Sequence, residues 1–544
     1  MFTPATIRVR NSGGLLLGLL AAGTLLAADP EGERLSALRR FALPNGTITS
    51  VERVPTGTFV PPNGAPALPN LPAFCRVCAA VKSSPDSNIC MEVWLPEQNW
   101  NGRFLATGSS GSAGKITYNT TASGLQLGYA VANCDLGTAP NPEVLLDHPE
   151  RWADFGSRGT HAMTVAAKAI VRAHYGKAPR YSYFVGGSTG GQQSLVEAQR
   201  YPDDFDGIIA GGPGNNRTHL HMMFLWNWAA LHREPGSAFS PADVALISRA
   251  VVRARAKDDG GAPDDDFLTD PRLCRFDPAE LLAPIGQTAA DHFLTRAQVT
   301  ALQKIYAGPV NPRTGERIYT AAPVGSERAL GLVLPEDPNA LPPHSYLFRW
   351  VFGAGFDYAK FDFDRDVDQV DARLAAILNA NNPDLSALQK RGGKILMYTG
   401  TADPVTPFQD ALNYYERVIE FNGGLEKTQA FFRYFVVPGL GHVAGGPGLN
   451  DFGQRLILDV TPDADHDAFR ALVLWVEHGV PPDRIIATAF KGGDAANGIR
   501  FLRPIYPYPK FPHYIGGDPN SPSSYRGVDH PHGNVPVPAP RYLN

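Results

Sequence analysis

Ser188 stands in Gly186-Gly187-Ser188-Thr189-Gly190, a setting suited to nucleophilic attack. With 55 glycines in 544 residues, a serine flanked in this way arises by chance about once per hundred serines. The motif therefore draws its weight from what surrounds it. A serine hydroxyl needs a base to take its proton and a third group to orient that base. Two later segments supply both: Asp403 in Gly400-Thr401-Ala402-Asp403-Pro404 and His442 in Pro438-Gly439-Leu440-Gly441-His442. Such a trio performs acyl transfer, which also requires donors for a developing oxyanion. The Thr189 amide is one expected donor. The other is expected from the segment Thr107-Gly108-Ser109-Ser110-Gly111, with Gly111 at its end.

These residues need a scaffold that brings them to one edge. The apolar run 181–185 reads as a strand ending just before the serine turn, and a helical pattern begins near Gln192. A Gly-x-Ser-x-Gly turn needs that strand-to-helix bend, which tolerates only small neighbours. Asp403 follows a predicted strand at 394–398, and His442 follows one at 431–437, so both fall at C-terminal strand ends, where chemistry collects in parallel sheets. Further strands are predicted at 90–95, 103–107 and 129–134, with helices at 164–174, 410–420 and 469–478. The alternation implies a parallel sheet with crossover helices, and the order serine, acid, histidine is that of an α/β-hydrolase. Between 216 and 384 the pattern gives way to aromatic, proline-broken sequence too long for a loop. The predicted architecture is an α/β-hydrolase sheet, 29–215 and 385–544, with a large inserted lid domain at 216–384. The last 40 or so residues are expected to wrap the surface in extended form.

Composition narrows the class. Hydrophobic residues make up 43%, which excludes wholesale disorder, and the net charge of −4 offers no footprint for nucleic acid or an anionic membrane. Residues 1–28 read as a signal peptide: Arg8 and Arg10 precede an apolar stretch at 13–26, and Leu26-Ala27-Ala28 ends in small residues. An N-terminal anchor helix is the alternative. No later run is apolar enough to span a bilayer, so no stable membrane association is expected, and the predicted location is secreted or periplasmic. Export places the five cysteines where pairing is expected, with at least one left over. No oligomeric state follows from the sequence.

The chain resembles the tannase/feruloyl esterase family of α/β-hydrolases, which also contains a mono(hydroxyethyl) terephthalate hydrolase. The matching segments include Trp100-Asn101-Gly102-Arg103-Phe104, Gly187-Ser188-Thr189-Gly190-Gly191, Glu197-Ala198-Gln199-Arg200-Tyr201-Pro202, Phe205-Asp206-Gly207-Ile208, Ala402-Asp403-Pro404, Gly441-His442 and Arg503-Pro504. The resemblance implies a secreted serine esterase whose lid shapes a pocket for an aromatic acyl group. It also implies a disulfide between a cysteine before the nucleophile and one after the histidine, but those positions here are Gly187 and Val443. This is a variant without the active-site disulfide. Lys257 replaces another family cysteine and leaves Cys274 without its expected partner. The family's lid calcium site would fall on Asp258, Asp265 and the backbone near Pro263 and Phe267, although Gly261 stands where an aspartate is expected. Asp259 or Asp264 offers compensation, and a solvated acidic loop is the alternative.

In the lid, Trp226, Trp228, Trp350 and Phe352 are candidates to line the pocket, with Arg349 pairing a carboxylate on the acyl group; a small lid core is the alternative. The expected function is hydrolysis of small aromatic esters by Ser188, His442 and Asp403. Feruloyl and other hydroxycinnamoyl esters lead; galloyl esters and terephthalate or phthalate half-esters follow. No cofactor is required for that chemistry, and a structural calcium in the lid is the one metal implied. Acyl transfer to an alcohol and a non-catalytic secreted polyphenol- or carbohydrate-binding protein are the other readings.

Overall fold

The computed structural model describes residues 30–284, 293–332, 334, 341–342, 344–456, 460–530 and 535–543, so the signal peptide predicted at 1–28 lies outside the described residues. Nine strands make one mixed sheet: β1 (Gly46–Val54), β2 (Phe74–Val81), β3 (Ile89–Pro96), β4 (Arg103–Thr107), β5 (Ala130–Cys134), β6 (Tyr181–Gly187), β7 (Gly207–Gly211), β8 (Lys394–Gly400) and β9 (Phe432–Val437). Their order is β1-β2-β3-β5-β4-β6-β7-β8-β9. The strands β1, β2, β3 and β5 pair antiparallel, and from β5 to β9 every pairing is parallel. Parallel strands must be covered on both faces, and β5, β7 and β9 are buried along their whole length.

The two-residue period of a strand divides the core. Phe104, Phe184, Ile208 and Met397 face one side, packed with Met163, Ile170, Leu195 and Tyr415. Leu105, Tyr183, Ile209 and Tyr398 face the other, packed with Leu125, Phe469, Leu472 and Trp475. The covering helices are α1 (Tyr118–Gln126), α2 (Gly159–Tyr175), α3 (Thr189–Arg200), α4 (Phe408–Asn422) and α5 (Ala468–His478).

Between 216 and 384 the described residues add nothing to the sheet and instead form helices at Arg217–His232, Pro241–Arg253, Arg296–Ala307, Tyr346–Phe352 and Asp366–Leu378. Ser240 with Asp243, and Thr295 with Gln298, close capping boxes that fix two of these starts. Two small clusters, one around Leu220, Met223 and Ile305 and one around Ile247, Val251 and Leu302, form the insertion's own core. Its last two helices do otherwise: Leu347, Trp350, Val370 and Leu374 pack into the core beneath the sheet.

Two sequence expectations change. The last 40 or so residues are not simply extended, since Lys510–Tyr514 pairs with Tyr525–Asp529 in an antiparallel hairpin. No disulfide joins any of the five cysteines. On adjacent strands Cys75 lies opposite Leu95, Cys78 opposite Glu92, Cys90 opposite Ala80 and Cys134 opposite Met91, so register sets no two of these cysteines directly across from each other. Cys274 instead directs its thiol to the Val251 and Ala254 carbonyls.

Candidate active site

Ser188 occupies the bend between β6 and α3 with φ 63° and ψ −118°, a left-handed conformation rare for a residue with a side chain. Its amide donates to the Gly211 carbonyl at 2.8 Å, which ties the bend to β7. Two glycines around the bend are sterically required. A Cβ on Gly186 would run into the Gly190 carbonyl, and one on Gly108 would stand 2.6 Å from Gly190 Cα.

Asp403 leaves the end of β8 and His442 the end of β9, which brings both to the edge where Ser188 sits. Asp403 is fully buried. Its Oδ1 accepts from the amides of Val405 (2.8 Å) and Thr406 (3.1 Å), and its Oδ2 accepts from Thr406 Oγ1 at 2.7 Å. His442 Nδ1 lies 2.9 Å from Asp403 Oδ2, and His442 Nε2 lies 2.8 Å from Ser188 Oγ. A carboxylate acceptor on Nδ1 requires the proton there, which leaves Nε2 free to accept from the serine.

Thr189 opens α3, so its amide lies at the positive end of the helix dipole beside the serine. The loop after β4 runs alongside: Gly108 donates its amide to Val185 and Ser109 donates its amide to Gln193. Among the described residues the Ser110 and Gly111 amides make no such bond, while the Gly111 carbonyl accepts from the Thr189 hydroxyl. A cavity of about 740 Å³ opens over Ser188 and His442, with Gly108, Gly111, His344, Val405, Val443 and Leu456 in its walls. A narrow lobe reaches past Ser188 and Thr189 to Arg217, His221 and Phe224.

The lid residues singled out from the sequence do not line this space. Trp350 lies parallel to Trp152 at 6.0 Å, and Trp226 donates to the Lys304 carbonyl with its ring edge-on to Phe363. Phe352 stacks on Phe356, and Trp228 stacks on His232. Arg349 pairs with Glu143 at 2.6 Å. The helix Tyr346–Phe352 turns its rings toward the core beneath the sheet, so these aromatics form neither the pocket wall nor a separate small core of the lid.

The acidic loop does not offer a calcium cradle either. Asp265 gives both carboxylate oxygens to the Arg503 guanidinium at 2.8 Å, Asp258 is exposed, and Asp259 accepts the amides of Gly261 and Thr269. A guanidinium in the fork of Asp265 repels a second cation, so the residues do not fit the metal. Among the described residues His161, Glu197 and Asp204 come close enough to share an ion. Burial, reinforced by Asp204, drives the Glu197 carboxyl far above its usual range, and His161 is already bonded to Asp204 at 2.6 Å. A carboxyl whose ionised form is disfavoured by burial is a poor ligand.

Sequence reading missed the polar residues of the narrow lobe. Arg217 donates to Thr189 Oγ1 at 3.1 Å, to Tyr346 OH at 2.6 Å and to the Gly111 carbonyl at 3.4 Å. Arg217 and His221 are one helical turn apart, a spacing that places them on one face, but the helix also carries Thr218, His219, Asn227 and His232, so the pair does not stand out in the sequence.

Known proteins share this architecture. The family model described as tannase and feruloyl esterase matches residues 75–337 and 345–528. An uncharacterized esterase of Xanthomonas campestris pv. campestris is 36% identical over 562 residues, covering 97% of this chain and 96% of its own. The probable feruloyl esterase B-2 of Aspergillus oryzae is 30% identical over 527 residues, covering 92% and 96%. The crystal structure of feruloyl esterase B from Aspergillus oryzae superposes with a TM-score of 0.83 at 27% identity, covering 91% of this chain and all of that one. The chain belongs to the tannase and feruloyl esterase family of α/β-hydrolases and is a carboxylic-ester hydrolase.

Proposed function

We propose that the protein hydrolyses esters of aromatic acids, hydroxycinnamoyl esters foremost, through an acyl-enzyme on Ser188. The observation that carries this reading is the unbroken Asp403–His442–Ser188 relay, at 2.9 and 2.8 Å, opening into a cavity large enough for an aromatic ester. Ser188 Oγ attacks the ester carbonyl while His442 Nε2 takes its proton. Asp403 holds the imidazole and stabilises its cation. The tetrahedral oxyanion falls to the Thr189 amide and the Ser110–Gly111 amides. Collapse breaks the ester C–O bond, and His442 returns the proton to the leaving alcohol. Water then repeats the sequence on the acyl-enzyme and releases the acid.

The aromatic acyl group is supported by relatives named as feruloyl esterases and by the apolar wall of Val405, Val443 and Leu456. Galloyl esters and terephthalate half-esters are the competing substrates. Methyl ferulate, methyl gallate and a terephthalate half-ester, assayed side by side, rank them; equal rates on an aliphatic ester would contradict the aromatic preference. Export through the leader at 1–28 belongs to the same proposal. No described helix is long and apolar enough to cross a membrane. Mass spectrometry of the mature chain tests the leader, which predicts a start at Asp29.

A further inference from the structure

The narrow lobe beside Ser188 holds a buried cation that no carboxylate among the described residues pairs. Arg217 is 5% exposed, and its bonds run to a hydroxyl, a carbonyl and a phenol, while its Nε has no partner among the described residues. The guanidinium lies 4.9 Å over the Phe155 ring, a weak substitute for an anion. Burying a charge without an opposite one is unfavourable, and a site that retains such a charge gains from it only when negative charge forms nearby. The neighbours fit that need. Thr189 follows the nucleophile, Gly111 ends the loop after β4, and Arg217 binds both. His221, also in the lobe, is kept neutral by burial and by Arg217 itself, so it adds no second cation.

We propose that Arg217 is a positioning residue for the oxyanion site: its guanidinium holds the Thr189 hydroxyl and the Gly111 carbonyl in register and supplies positive charge that the tetrahedral oxyanion answers. The inference rests on the reading of Ser188 as the nucleophile. In the resting enzyme the charge has no carboxylate partner among the described residues; after attack, the oxyanion and the His442 imidazolium form together, and Arg217 favours the former. The effect therefore belongs to the transition state, and not to substrate binding.

The test compares Arg217→Gln, which keeps donors but not charge, with Arg217→Lys, which keeps charge but not the fork. An aryl ester substrate gives kcat and KM, and an arylboronic acid, which becomes tetrahedral and anionic on Ser188, reports oxyanion stabilisation. A non-hydrolysable aryl amide reports ground-state binding. Arg217→Gln is expected to lower kcat and boronate affinity in parallel by about 10- to 100-fold, with KM and amide affinity unchanged. Arg217→Lys is expected to recover part of both. Boronate affinity within twofold of wild type in a folded Arg217→Gln overturns the inference. A loss confined to KM for carboxylate-bearing esters overturns it too, and assigns Arg217 to ground-state recognition. Equal loss across boronate, amide and thermal stability shows a purely structural role. Wild type that neither turns over ester nor binds boronate overturns the reading of Ser188 itself.

Discussion

A Cβ placed on Gly187 would lie 3.5 Å from the Cβ of Val443, so the residue before the nucleophile and the residue after the histidine are already within bridging distance. Disulfides have Cβ atoms about 3.5–4.5 Å apart. The geometry of a serine-to-histidine tether is thus kept where the covalent bond is not, by van der Waals contact between Val443 and the bare Gly187 backbone. The double variant Gly187→Cys/Val443→Cys is expected to oxidise in air and to gain roughly 2–4 kcal/mol of stability, lost again in dithiothreitol. Thiol titration of the unfolded, unreduced protein checks it, since two additional free thiols would show that the loops do not hold this distance.

Asp403 fixes which nitrogen of His442 carries the proton. Asp403→Asn offers an amide to Nδ1 and favours the wrong tautomer, so kcat is expected to fall by about 10⁴-fold with the fold intact. Circular dichroism and turnover of an aryl ester, measured on the same preparation, separate lost chemistry from lost structure.

The Arg503–Asp265 pair predicts both a metal response and a stability loss. Arg503 and Asp265 are buried partners, and Arg503 lies 4.2 Å over the Phe501 ring. Asp265→Ala strands that guanidinium and is expected to cost about 3–5 kcal/mol. EGTA is expected to leave the wild-type Tm unchanged, because the carboxylate that calcium would need is taken. A Tm drop in EGTA that calcium restores would show that the loop rearranges around the ion.

Asp467 sets a pH response. It caps α5 through bonds from the Phe469 and Arg470 amides, and burial pushes its carboxyl up to about 6. Protonation is therefore favoured in the folded state, so this group's contribution is greatest below about pH 4 and is lost as pH rises toward 6. Asp467→Asn keeps the acceptor without the charge. Its stability relative to wild type is expected to rise across that window by up to roughly 3 kcal/mol and then level off. Parallel melting curves at pH 4 and 7 check the sign; a constant offset contradicts it.

The sheet was legible because its strands carry local signals. Continuous apolar runs at β6, β8 and β9 end in glycine-rich turns, and Ser188, Asp403 and His442 each sit in the first residues after a strand, where topology alone decides that they meet. The lid residues failed for the opposite reason. Trp226, Trp350, Phe352 and Arg349 have the right chemistry for a substrate pocket, but composition cannot tell an inward-facing core ring from a cavity wall. That distinction depends on how the helix Tyr346–Phe352 docks onto the core beneath the sheet, a non-local contact. Asp265 was misread because its partner, Arg503, lies 238 residues away. Arg217 is legible only in the folded chain, because its role comes from its bonds to Thr189 and Gly111 and from the lack of a carboxylate partner among the described residues.

Covalent labelling probes the Ser188 nucleophile itself. A fluorophosphonate probe reacts with a serine only when a base and an oxyanion site activate it. Stoichiometric labelling of the wild type at Ser188, mapped by peptide mass spectrometry, is expected, and none in Ser188→Ala, with hydrolysis of methyl ferulate lost in step. Wild type that stays unlabelled while folded, or Ser188→Ala that still cleaves methyl ferulate, would contradict it.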